Sequence, residues 1–210
     1  HSFPYVSKKL AATYKNCTFD LFATTIKYDA GCFGYSKVVK QNTQKLCRNY
    51  KNIHLVELLN NSRADESYAT IDQWRAASIS AATFIYTLSL KYSFVIAITV
   101  DTPFAQTASY FFKQYKQIGS VRIIWLPQST ALIHAKRKKH TKNELVRRVW
   151  EMGPIGEAKR NKLVRIGLIG TFMRSHLIEK YGASKNSLIS LRNAVYFKKL
   201  DRYRRSQKNY

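Results

Sequence analysis

The stretch from Ala76 to Val100 limits the architectures open to this chain more than any other. It is mostly apolar, with Lys91 inside it. A spanning helix needs about 20 consecutive apolar residues. A lysine at its centre costs roughly 2.5–3.5 kcal/mol on insertion scales. The stretch therefore divides. Ile71 to Leu90 reads as a helix, with Asp72 as a first-turn acid and Ala76, Ile79, Ala82, Phe84 and Leu88 along an apolar face. Lys91-Tyr92-Ser93 is a short turn. Phe94 to Val100 is rich in β-branched residues, the pattern of a strand buried on both faces. In Thr102-Pro103, the threonine is pushed out of helical geometry and the proline suits a first helical turn.

The alternation continues along the chain. Strands are expected at Ile53–Leu58, Phe94–Val100, Val121–Leu126, Leu145–Val149 and Leu163–Ile169, the fourth interrupted by Arg147 and Arg148. Helices are expected over Phe104–Gln117, ended by Gly119, and in a short stretch around Gly156–Asn161. Ser187 to Tyr203 reads as a basic helix with Leu188, Leu191, Val195 and Leu200 inward. Strands alternating with helices argue for a parallel sheet covered on both faces. With 45% hydrophobic residues in 210, the chain can build a core, and no linker divides it.

Charge limits the partners. Thirty-six Lys and Arg face twelve acids, a net charge of +24. A small domain ordinarily carries a charge of magnitude about 2–8. The surplus runs from Lys8 to Lys208, so it is not a local tail. Membrane-surface proteins concentrate basic residues on one amphipathic helix or beside a span. A polyanion, and nucleic acid above all, is the expected partner.

Three clusters are the candidate RNA-binding residues. Lys136, Arg137, Lys138, Lys139 and Lys142 form a dense loop. Lys159, Arg160 and Lys162, with Arg165 beside them, form a second cluster. Lys198, Lys199, Arg202, Arg204 and Arg205 form a third, in which Tyr196 and Phe197 read as packing residues. Such side chains neutralise phosphates and release counterions. Trp125 is expected to anchor the end of its strand in the hydrophobic core or against a neighbour.

Catalytic and metal chemistry finds little support. Cys17, Cys32 and Cys47 contain no CxxC pair and read as small hydrophobes. No GxGxxG or GxxxxGK[ST] follows a strand, and Gly167 to Gly170 lies within and just after one. His54, His134, His140 and His176 show no pattern for a nucleophile or a metal, and Asp101 before Pro103 reads as an ordinary cap. No enzyme activity, cofactor or metal is expected. The chain opens on His1 without a signal-peptide pattern.

Several stretches, in order, resemble the family of the second protein of the small ribosomal subunit, the S-two family. Gly31-Cys32-Phe33-Gly34-Tyr35 stands where that family carries His-Phe-Gly-His. Arg48 to Leu58 is similar to its R-N-G-I-H-I-I-D-L, and Phe94 to Thr99 to its I-L-F-V-G-T strand. Ile124-Trp125-Leu126-Pro127 resembles its R-W-L-G-G approach. Gly156 to Lys159 followed by Ile166 to Thr171 resembles its E-A … I-P-x-I-G-L-x-D-T stretch. Tyr181 to Leu191 resembles Y-P-I-x-x-N-D-D-S-x-x-S-I. Collinearity over most of residues 21–200 carries the resemblance; no single match is specific. Departures are the Cys32 and Tyr35 replacements, the missing paired glycines at Gln128–Leu132, and Asn143-Glu144 in place of Pro-Asp. Leu126 to Glu144 is also too short for the family's long helical hairpin.

The resemblance implies a flavodoxin-like, doubly wound parallel α/β fold with helices on both faces and a reduced hairpin insertion. It divides the chain into an N-terminal extension (1–20), one S-two-like domain (21–205) and a basic tail (206–210). The implied role is a structural constituent of the small ribosomal subunit near the head–body junction. The implied partners are small-subunit ribosomal RNA and neighbouring ribosomal proteins, with no membrane span and no homo-oligomer. Divergence and a composition rich in Lys, Asn, Tyr and Phe point to an organellar form, mitochondrion in preference to plastid. The alternatives are a basic accessory subunit of a mitochondrial membrane complex, or a nucleotide-binding α/β enzyme.

Overall fold

A computed structural model describes residues 3–26, 37–58, 70–116, 118–134 and 142–191. The chain divides into two compact units. One holds His1–Thr25, Ser36–Val56 and Arg192–Tyr210, and the other Ile26–Tyr35 and Glu57–Leu191.

The first unit contains helix α1 (Phe3–Thr13), helix α2 (Lys37–Arg48) and most of strands β1 (Leu21–Ile26) and β2 (Ile53–Leu58). β1 and β2 pair as a parallel two-stranded sheet. Asn52 ties them together at their start. Its side chain donates to Phe19 O (3.0 Å), and its carbonyl accepts from Leu21 N (2.9 Å). His54 on β2 bonds Asp20 (2.8 Å) and stacks on Phe22.

The second unit begins with helix α3 (Ile71–Ser89), strand β3 (Val95–Val100) and a 3-10 turn at Thr102–Phe104. Helix α4 (Thr107–Tyr115), strand β4 (Val121–Leu126), helix α5 (Ala131–His134) and helix α6 (Lys142–Arg160) follow. Strand β5 (Val164–Leu168), helix α7 (Thr171–Tyr181) and strand β6 (Leu188–Ser190) complete it. The sheet runs β3-β4-β5-β6, every pair parallel. This is the flavodoxin-like α/β class expected. Val95, Val121, Ile123, Trp125, Val164, Ile166 and Leu188 share one core with Trp74, Ile85, Phe111, Trp150, Ile155 and Leu177 of the helices.

A capping box opens α3. Thr70 Oγ1 accepts from Gln73 N, and Gln73 Oε1 accepts from Thr70 N. The turn at Lys91–Ser93 and strand β4 lie where expected. Trp125 is buried at the end of β4, and its Nε1 donates to Asp101 O (3.0 Å).

Four expectations are corrected. Leu145–Val149 is not a strand but part of α6, which also absorbs the helix expected near Gly156. Helical spacing wins because Val146 and Trp150 reach the core on one side, and Arg147 pairs with Glu151 one turn on (2.7 Å). β3 is buried on one face only: Ile96 is 60% and Ile98 53% exposed. The inward face of α3 is Trp74, Ala77, Ser78, Ala81, Ala82 and Ile85, and Ile79 points outward. Trp74, Ala82 and Ile85 pack into the core from that face, and Ser78 on it donates to Pro103 O (2.9 Å). Finally, the expected helix over Ser187–Tyr203 begins instead as a 3-10 turn and strand β6, where Leu188 pairs with Ile166. Residues 192–203 lie outside the described residues.

Candidate nucleic-acid interface

Two of the three basic clusters cannot be placed in full. Lys136, Arg137, Lys138 and Lys139, and all of Lys198, Lys199, Arg202, Arg204 and Arg205, lie outside the described residues. Lys142 is described. It opens α6, exposed, at the rim of a cleft of ≈ 420 Å³ walled mainly by Ile71, Leu145, Val146, Val149 and Trp150.

Lys159 and Arg160 occupy the last turn of α6, where cations favour the negative end of the helix dipole. Lys162 follows in the turn into β5. All three are exposed. They lie about 25 Å along α6 from Lys142, at 1.5 Å rise per residue. The structure therefore keeps Lys142 and the second cluster apart. Lys159 Nζ reaches over Gly182, the left-handed residue (φ 65°) that caps α7. Arg160 pairs with Glu157 (3.2 Å), an exposed guanidinium in a weak ion pair. Arg165 is half-buried on β5 and donates to Val164 O (2.9 Å).

The opposite edge of the sheet, where strands end, is organised around a carboxylate that sequence reasoning missed. Glu151 is fully buried. Its Oε1 accepts from Arg147 Nε (2.7 Å) and Thr102 Oγ1 (3.1 Å). Its Oε2 accepts from Tyr181 OH (2.7 Å) and Ala131 N (3.0 Å). A carboxylate offers about four lone-pair sites, so none is left for a ligand. The available signal was Arg147-x-x-x-Glu151, legible only once the segment is read as helix. Burial pushes the Tyr181 phenol up to about 12; a hydrogen bond with Thr130 opposes the rise, and the Glu151 charge and hydrogen bond add to it. His176 bonds Thr130 Oγ1 (2.8 Å), and burial lowers its pKa. Asp101 ends β3 with φ 63°, and its Oδ1 is 3.9 Å from Arg147, too far for a hydrogen bond.

Among the described residues, no group of three or more His, Cys, Asp or Glu side chains is arranged to hold a metal ion. No described helix is long and apolar enough to cross a membrane. No protein-family model matches the chain, and no curated protein matches it.

Proposed function

We propose that this chain is an RNA-binding structural constituent of an organellar small ribosomal subunit, mitochondrial in preference to plastid. It would bind small-subunit ribosomal RNA and neighbouring proteins near the head–body junction. The observation that carries the RNA part is where the acids go. The chain has only twelve, and Glu151, Glu157, Asp72 and Asp20 are engaged by Arg147, Arg160, Arg75 and His54. They leave Lys159 and Lys162 exposed with no described carboxylate in ion-pair contact. A surplus of this size requires a polyanion to offset its self-repulsion. The ribosomal part rests on the ordered resemblance from Gly31 to Leu191.

Gradient sedimentation of a mitochondrial lysate tests the reading. The protein should migrate with the small subunit and leave it at high salt, and its depletion should lower mature small subunits and organellar translation. A protein that sediments free while small-subunit levels survive its depletion would refute the assignment. Specific nucleotide turnover by the purified chain would then favour an enzyme.

A further inference from the structure

We infer that the strand-N-terminal edge of the four-stranded sheet binds the RNA sugar–phosphate backbone, with Lys116 at its centre. This rests on the RNA reading above and gives it a place.

Three connections meet at this edge: α3 to β3, α4 to β4 and α6 to β5. Backbone bonds hold them side by side, from Val95 N to Ser120 O (2.9 Å) and from Ile123 N to Leu163 O (3.0 Å). Each presents an exposed lysine: Lys91, Lys116 and Lys162. On the strands above them, Arg122 pairs in register with Ile96, and Arg165 with Ile124, so both side chains leave from the sheet face on which Ile96 and Ile98 are exposed. No acid occurs between residues 88 and 94, 112 and 122, or 158 and 165. The nearest carboxylate in sequence, Glu157, is already paired with Arg160.

Helix dipoles account for cations in last turns, such as Lys113 and Lys159. They favour a cation at Lys116 as well, the C-cap of α4, but give no reason for the backbone geometry in which it is held. Lys116 adopts φ 58° and ψ −163°, a region that essentially only glycine enters without strain. A lysine held there costs stability and contributes a charge. Strain of this kind clusters at functional sites. On the α3 to β3 connection, Phe94 is 53% exposed with the Arg122 guanidinium 5.5 Å from its ring centroid. An exposed ring backed by arginine is a stacking shelf for an unpaired base. An anionic membrane is the weaker fit, because turns and strand starts offer no amphipathic helix to lie in the interface.

Binding of the full-length chain to a fluorescein-labelled 20-mer of oligouridine, titrated across KCl, tests this. The triple variant Lys91→Gln, Lys116→Gln, Lys162→Gln should flatten the log–log salt slope by about two, at roughly 0.7 per single-strand phosphate contact. Lys116→Gly should raise the melting temperature while flattening the slope by about 0.7. Phe94→Leu should weaken binding about tenfold with the slope unchanged. A triple variant with the wild-type slope overturns the inference. If that variant does not fold, a Lys116→Gly protein that keeps the full slope overturns it. Lys136–Lys139→Ala separates the two readings. If only that variant flattens the slope, the RNA reading survives and the edge assignment fails. If the wild type shows no salt-dependent RNA binding, the RNA reading itself fails. Loss of binding to phosphatidylserine vesicles, with RNA binding intact, would also overturn the inference.

Discussion

Removing the Gln106 side-chain amide should reveal what Pro154 does to α6. In a helix, the carbonyl of Trp150 would accept the N–H of residue 154, and proline has none. Gln106 Nε2 donates to Trp150 O instead, at 2.7 Å. It reaches that carbonyl through the space over Gly153, where a Cβ would lie 1.8 Å from the amide nitrogen. Trp150 is 7% exposed, so water is a poor substitute. Leaving a buried carbonyl unsatisfied costs about 1–3 kcal/mol. Gln106→Ala should therefore lose about 2 kcal/mol, a fall of roughly 4–8 °C in Tm for a chain of this size.

A double-mutant cycle isolates the cause. Pro154→Ala restores the N–H to Trp150 O. In that background Gln106→Ala should cost only about 0.5 kcal/mol of packing, a coupling of about 1.5 kcal/mol. Gly153→Ala should cost about as much as Gln106→Ala, because the amide is evicted. Urea denaturation followed by tryptophan fluorescence is the assay. Trp74, Trp125 and Trp150 all lie in the second unit, so the signal reports on that unit. Equal costs of Gln106→Ala in both backgrounds would refute the reasoning.

The network at the opposite sheet edge makes two further predictions. Glu151→Gln deprives Arg147 of its anion and sets an amide NH2 against one pair of donors, so stability should fall by about 3 kcal/mol in denaturant titration, as for a broken buried ion pair; a loss under about 1 kcal/mol would count against the network. Because the Tyr181 phenol is raised to about 12, the folded chain holds that proton where the unfolded chain, near 10, has released it. Its stabilisation is complete below pH 10 and lost as pH rises from 10 towards 12. Thermal melts of Tyr181→Phe should show a flatter alkaline arm than wild type.

Strand β4 and helix α3 were legible because each carries one unambiguous local signal. Val121 to Leu126 is a short run rich in β-branched residues ahead of a proline, and Asp72 ahead of a long apolar stretch marks α3, though not its inward face. The Leu145–Val149 error has a physical origin. Leu, Val and Arg in that order fit a strand locally, and only the distant Glu151 partners show what Arg147 is for. β3 misled because an apolar run shows that its side chains can be buried, not that both faces are covered. Of the candidate site, Lys159, Arg160 and Lys162 were legible as a contiguous run. Lys91, Lys116 and Arg122 were not, since they are neighbours only through the parallel register. Nothing local marks Lys116 either, because its backbone strain belongs to the folded turn.

In the second unit part of the charge follows the helix dipoles. Asp72 lies in the first turn of α3 and Glu144 in that of α6, although Lys142 also opens α6 and Glu157 and Glu179 lie in the last turns of α6 and α7. Cations stand where helices end, at Lys113, Lys159 and Arg160. Parallel topology points every crossover helix the same way, so each helix dipole favours this same segregation. A protein with no partner at all would gain a few tenths of a kcal/mol per charge from it. Helix-end charge is therefore a poor witness for RNA, and the strained backbone of Lys116, itself the C-cap of α4, is a better one. Lys113→Gln should lower the melting temperature slightly and leave the oligouridine salt slope nearly unchanged. Lys116→Gly should do the reverse, because its charge is presented against the backbone's preference. A chain in which both substitutions only destabilise would have an edge built for its helices. Opposite signs in the two melts, with the slope following Lys116, would mark an edge shaped by its polyanion.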